Sequence, residues 1–154
     1  MKTRNKVLLG LLAAFVFIQL IPVAKTNPPV TGEIAAPPEV KSVLRKSCYD
    51  CHSNETVWPW YSRIAPVSWL LYRDVTQGRR TMNFSAWQQM PEDRQNKRRK
   101  GVWDEVASGG MPLWFYKPLH PDAKLTDADK ATLKAWSDAG PAVPKRNAGG
   151  NTGG

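Results

Sequence analysis

Cysteine and histidine are the scarcest reactive residues in this sequence, two of each in 154 residues. Two cysteines exclude a small domain held together by many disulfides. Two histidines exclude a multi-histidine metal centre. No stretch alternates apolar and polar residues for long, so a half-buried sheet finds no support. No internal repeat is present, and no acidic residue precedes Glu33, although Lys2, Arg4 and Lys6 open the chain. Charged residues at 23% and hydrophobic ones at 42% lie near globular averages, so the whole chain is not a disordered tail. The chain is rich in other things. It has seven Trp, four Tyr and four Phe, which offer large apolar surface to bury, and its 13 Pro and 11 Gly gather toward the two ends.

After the basic opening, Val7 to Ala24 is an 18-residue run interrupted only by Gln19 and Pro22. As one helix it would reach roughly 27 Å, near the thickness of a bilayer's hydrocarbon core. No small-x-small cleavage site follows it well, because Pro22 precedes Ala24 and Pro37 follows Ala36. Residues 1–24 are therefore expected to be a single transmembrane helix acting as an uncleaved anchor, with a removed signal peptide as the alternative. The positive flank places the N-terminus in the cytoplasm and everything after Ala24 outside it. Three of the 22 basic residues belong to that flank, which leaves 19 against 13 acids, a charge of +6, on the outward part. That charge suits acidic protein partners or anionic headgroups, and no nucleic-acid partner is expected beyond a membrane.

Residues 25–38 carry four prolines and read as a stiff stalk, and residues 141–154 read as a disordered tail. Between them, residues 39–140 form an all-α module. Glu39 to Ser47 places Val40, Val43 and Leu44 on one helical face. Pro66 to Gln77 reads as a helix stopped by Gly78. A short helix is expected over Phe84 to Met90 and a longer one over Pro91 to Ser108. Thr126 to Ala139 is the clearest, with Thr126 as cap, Leu133 and Trp136 as apolar stripe, and Gly140-Pro141 as stop.

Both cysteines and one histidine fall in Cys48-Tyr49-Asp50-Cys51-His52, the C-x-x-C-H pattern of c-type haem attachment. Two thiols three residues apart on one turn can each add to a vinyl group on one porphyrin edge. His52, the next residue, can then turn its imidazole to the iron. A thioredoxin-like motif would need a βαβ setting. A zinc site would need Cys48, Cys51, His52 and His120 together, with two of them adjacent in sequence. For the other axial position, Met111 in Gly109-Gly110-Met111-Pro112 is favoured, since glycines end the preceding helix and Pro112 prevents another. His120, in Leu119-His120-Pro121, is the alternative distal ligand, and an open position is the third possibility. Met82 and Met90 read as core residues.

Six blocks occur in order: Cys48 to His52, Trp58-Pro59-Trp60-Tyr61-Ser62, Ile64 to Trp69, Asn83-Phe84-Ser85-x-Trp87, Gly110-Met111-Pro112, and Leu119-His120-Pro121 through Thr126. Together, over residues 38–140, they resemble the bacterial haem-binding domain family of small membrane-anchored monohaem cytochromes c. The resemblance implies a cytochrome-c-like helical fold, one covalent haem c, and ligation by His52 and Met111. Trp58, Trp60, Tyr61, Trp69 and Trp87 are candidates to pack around the porphyrin. Arg63, Arg79 and Arg80 are candidates to pair with its propionates. The run Lys97-Arg98-Arg99-Lys100 reads as a solvated helix face or as a docking patch for an acidic redox partner.

The expected function is single-electron transfer, because six-coordinate iron needs no substrate site and no carboxylate pair is framed for catalysis. It is not expected to be an enzyme. The alternative is a haem-based sensor or peroxidase-like enzyme with an open or displaceable distal position.

Overall fold

The computed structural model describes residues 2–139. The expected C-terminal tail and the Gly140-Pro141 stop lie outside the described residues. Among those described there are six α-helices and no β-strand: α1 (Thr3–Ile18), α2 (Pro38–Ser47), α3 (Tyr49–His52), α4 (Val67–Thr81), α5 (Glu92–Ala107) and α6 (Asp127–Asp138). Single 3-10 turns sit at Trp60–Arg63, Trp87–Gln89 and Pro121–Ala123. The all-α expectation holds.

Helix α2 starts with Pro38 at its first position, where a missing N–H costs nothing, and buries Val40, Val43 and Leu44. Helix α6 begins with a capping box in which Thr126 and Asp129 satisfy each other's backbone N–H groups. It buries Leu133 and Trp136. Helix α3 packs on α4 and α5 packs on α6, while α2 touches both α3 and α6. The core runs through that junction, where Phe84 stacks on Tyr49 and on Trp87 with ring centroids 5.3 and 5.8 Å apart.

Three expectations are corrected. The apolar N-terminal run is not one long helix. Helix α1 ends at Ile18 after 16 residues, and among the described residues no helix is long and apolar enough to cross a membrane. Pro22 disfavours helical geometry at Ile21, and the Gln19 side chain is drawn to the Ala65 backbone, donating to its oxygen at 3.1 Å and accepting from its nitrogen at 2.9 Å.

The segment 25–38 is not a free stalk. It is extended but lies against the 84–88 loop, with Thr31 and Gly32 N–H donating to Ser85 O, Ile34 N–H to Phe84 O, and Gln88 N–H to Gly32 O. Ile34 is 1% exposed and belongs to the core, and Glu33 pairs with Lys41 and Arg45. Its prolines keep it extended, yet the apolar Ile34 among them is what burial selects. Ile34→Ala is expected to cost about 2–5 kcal/mol, as measured by denaturant unfolding.

Gly78 does not stop α4, which runs on to Thr81. A Cβ at position 78 would overlap the Cys51 carbonyl, so the glycine permits close approach of α4 to α3. Gly78→Ala should gain roughly 1 kcal/mol of helix propensity and lose about 1–3 kcal/mol to overpacking. The expected outcome is a lower melting temperature, whereas a higher one would show that the backbones part without cost.

Candidate functional site

The Cys48–His52 segment is held as a single turn. Cys48 closes α2 by donating its N–H to Leu44 O at 2.8 Å, and His52 N–H donates back to Cys48 O at 2.9 Å. Ser53 Oγ donates to Tyr49 O at 2.8 Å, and Phe84 N–H donates to His52 O at 2.7 Å. Tyr49 fixes the turn from behind, 3% exposed, with the Arg45 guanidinium over its ring.

In front of the turn lies a largely apolar cavity of about 460 Å³. The α3–α4 pair lines it with Cys48, Cys51, His52, Gly78 and Met82. Helix α5 and the segment after it line it with Arg98, Val102, Glu105, Val106, Met111, Pro112, Leu113 and Tyr116. The α5 residues recur at helical spacing, one stripe facing one space.

His52 is oriented by its far nitrogen. Nδ1 lies 3.0 Å from Gly78 O and 3.2 Å from Met82 O. Two carbonyl acceptors require a proton on Nδ1, which leaves the lone pair on Nε2 for a metal. Burial lowers the imidazole's pKa below its ordinary value and outweighs the two carbonyls and Glu105, which act the other way. At neutral pH the ring is therefore uncharged, the form able to bind a metal. Neither cysteine is in a disulfide. Burial pushes both thiols up to about 12, Cys48 with help from Cys51 and Cys51 with help from Asp50 and Asp74. Both stay protonated at neutral pH.

Met111 reaches the cavity through the turn that ends α5. Gly109 takes a left-handed φ of 78°, which favours glycine, and Met111 N–H donates to Glu105 O at 3.1 Å. A Cβ on Gly110 would collide with the Glu105 carboxylate. Met82, expected as a core residue, packs on the core and also lines the cavity, but its carbonyl is tied to the back of His52. Met90 packs on the core. His120 is occupied elsewhere: its Nε2 pairs with the Tyr61 hydroxyl, and its ring stacks on Tyr116 at 4.0 Å.

The five aromatic candidates do not gather at this cavity. Trp87 is in the core stack, and Trp60 is 74% exposed. Trp58 lines a separate cleft with Arg79 and Arg80. Tyr61 meets His120, and Trp69 donates its indole N–H to Ile21 O at 3.5 Å. Trp87 is buried against Phe84 and Trp136, while Trp58, Trp60, Tyr61 and Trp69 lie on or beside α4, and none of the five lines the cavity. Of the arginines weighed for a negatively charged group, Arg79 is engaged in bonds to Ser53 O, Thr26 O, Asn27 Oδ1 and Thr56 Oγ1. The cation in the cavity wall is Arg98. Arg98, which the sequence presents as part of a solvated face or docking patch, lines the cavity, and so does Glu105, which the sequence does not single out because its charged neighbours mask the face that Val102 and Val106 mark.

The donor set fits a haem: a thiol pair on one turn, a neutral imidazole with Nε2 free, a thioether, a cation, and a cavity within the ordinary cofactor range of about 300–1,000 Å³. Among the described residues no three His, Cys, Asp or Glu side chains group as ligands for a bare metal ion. Comparison with curated proteins and with solved structures returned no match. The profile of the haem-binding domain family matches residues 13–139. That span takes in α2 to α6 and every residue of the cavity, and the chain belongs to the haem-binding domain family.

Proposed function

We propose that the chain carries single electrons through one haem c, attached at Cys48 and Cys51 and ligated by His52 and Met111, outside the cytoplasmic membrane. The observation that carries this reading is that Cys48, Cys51, His52 and Met111 line one apolar cavity. The haem supplies reversible one-electron chemistry at its iron. The chain's own residues do the rest. Each thiol adds across a vinyl group, its sulfur bonding to one carbon and its proton going to the other, so no electrons are gained or lost. Gly78 O and Met82 O hold the His52 proton on Nδ1. The thioether of Met111 favours the reduced metal, and Arg98 offers a counter-charge to the cofactor's carboxylates. Valines 102 and 106 keep water from the space between.

Lys97 and Lys100 flank Arg98 on α5, and with the +6 balance they support an acidic redox protein as partner. The apolar run Val7 to Ala24, after three basic residues, supports membrane attachment with the domain on the outer side.

The test is an absorbance spectrum of detergent-extracted protein in both redox states, beside a haem stain of a denaturing gel. Haem that stays with the polypeptide and low-spin spectra in both states are the expected results. Haem lost on denaturation would overturn covalent attachment. Rapid, stoichiometric binding of carbon monoxide by the ferrous protein would favour the sensor or peroxidase-like alternative.

A further inference from the structure

Helix α1 buries none of its side chains, and Leu8, Leu12 and Phe17 are among those left exposed. The segment after it is tied down at three points. Gln19 bonds both backbone groups of Ala65, Trp69 donates to Ile21 O, and Lys25 donates to Ser62 O at 3.4 Å. These ties set residues 62–69 alongside residues 19–25, so the two stretches share whatever depth either one takes up. The domain surface there is apolar too: Trp60, Ile64, Val67 and Leu70 are all exposed. At 16 residues α1 covers about 24 Å, some 6 Å less than a bilayer's hydrocarbon core.

We propose that Trp60, Ile64, Val67 and Leu70 form a membrane-contact face, seated in the interfacial layer of the outer leaflet where α1 ends. The occupant is lipid. Ala65, fixed to Gln19, lies level with the apolar run, whereas Ser62 lies level with Lys25, the first charge after it. Ile64 and Val67 therefore reach the depth at which the run is still apolar, and Trp60 has the amphipathic ring that favours the interface. Arg63 and Lys25 stand at headgroup level, where cations meet anionic lipid. The face makes up the apolar depth that the short helix lacks. Val67 and Leu70 also line a narrow groove that reaches Cys51, so face and cofactor cavity are neighbours.

This inference rests on the membrane attachment proposed above, and the experiment separates the two. Full-length protein is reconstituted in phosphatidylcholine–phosphatidylglycerol vesicles with a nitroxide at Ile64→Cys, at Trp60→Cys, or at Asp138→Cys as a water-facing reference. Labelling of the unsubstituted chain shows whether Cys48 and Cys51 are engaged. Labels at 64 and 60 should collide with lipid-dissolved oxygen and lose collisions with a water-soluble nickel chelate, and the label at 138 should do the opposite. Vesicle-bound protein whose 64 and 60 labels meet the chelate as freely as 138 does would overturn the face alone. Protein that fails to float with the vesicles would overturn both the face and the attachment.

Discussion

A chain with Cys48→Ala and Cys51→Ala is expected to carry no covalent haem and to fold poorly. Both thiols line the cavity, and neither is tied up in a disulfide. Without a covalent hold, the 460 Å³ between the α3–α4 and α5–α6 pairs has nothing fixed in it. Left open, its apolar lining would face water unpacked, a sizeable loss against a total stability of about 5–15 kcal/mol for a domain. Collapse is the cheaper outcome, and the two pairs, joined through α2, can reach it by closing on each other. Haem staining and a circular-dichroism melt check the claim. Native-like helicity with a sharp transition in the haem-free variant would contradict it.

The second large effect is expected at Met111. If its sulfur is the sixth ligand, ferric protein should show the weak far-red methionine–iron band and Met111→Ala should abolish it. The same change should open the iron to carbon monoxide and lower the midpoint potential, because a thioether favours ferrous iron. His120→Ala should leave band and potential nearly unchanged, since His120 is held by Tyr61 and Tyr116 and is not part of the cavity wall. The reverse pattern would mean a bis-histidine haem and a more reducing carrier. Silence from both variants would mean an open distal position and a sensor or enzyme.

Much of the helix pattern was legible because amphipathic spacing and end signals are local. Val40, Val43 and Leu44 announce α2, and Thr126 with Asp129 announces α6. The Cys48–His52 motif was equally legible, as its chemistry is contained in one turn. What failed depends on contacts distant in sequence. Gly78 looks like a stop until α3 is seen against it, and residues 25–38 look like a stalk until Ile34 is seen in the core. The five aromatic candidates illustrate the same limit. Composition says that large rings will be buried or packed, but it does not say against what, and Trp58, Trp60, Tyr61, Trp69 and Trp87 each found a partner or an exposure of its own.

The packing of residues 25–38 bears on how the proposed carrier would work over time. A loose tether of fourteen residues would let a redox domain sweep a hemisphere and visit several partners from one anchoring point. Here Asn27 is locked to Thr56 and Arg79, Ile34 is in the core, and Gln19 is pinned to Ala65, so the whole leash is reeled in. The cavity then stays at short range from the end of α1. Its turnover would follow how often a partner arrives by its own diffusion, and lengthening the leash by insertion ahead of Lys25 would be the way to turn a stationary relay into a swinging arm.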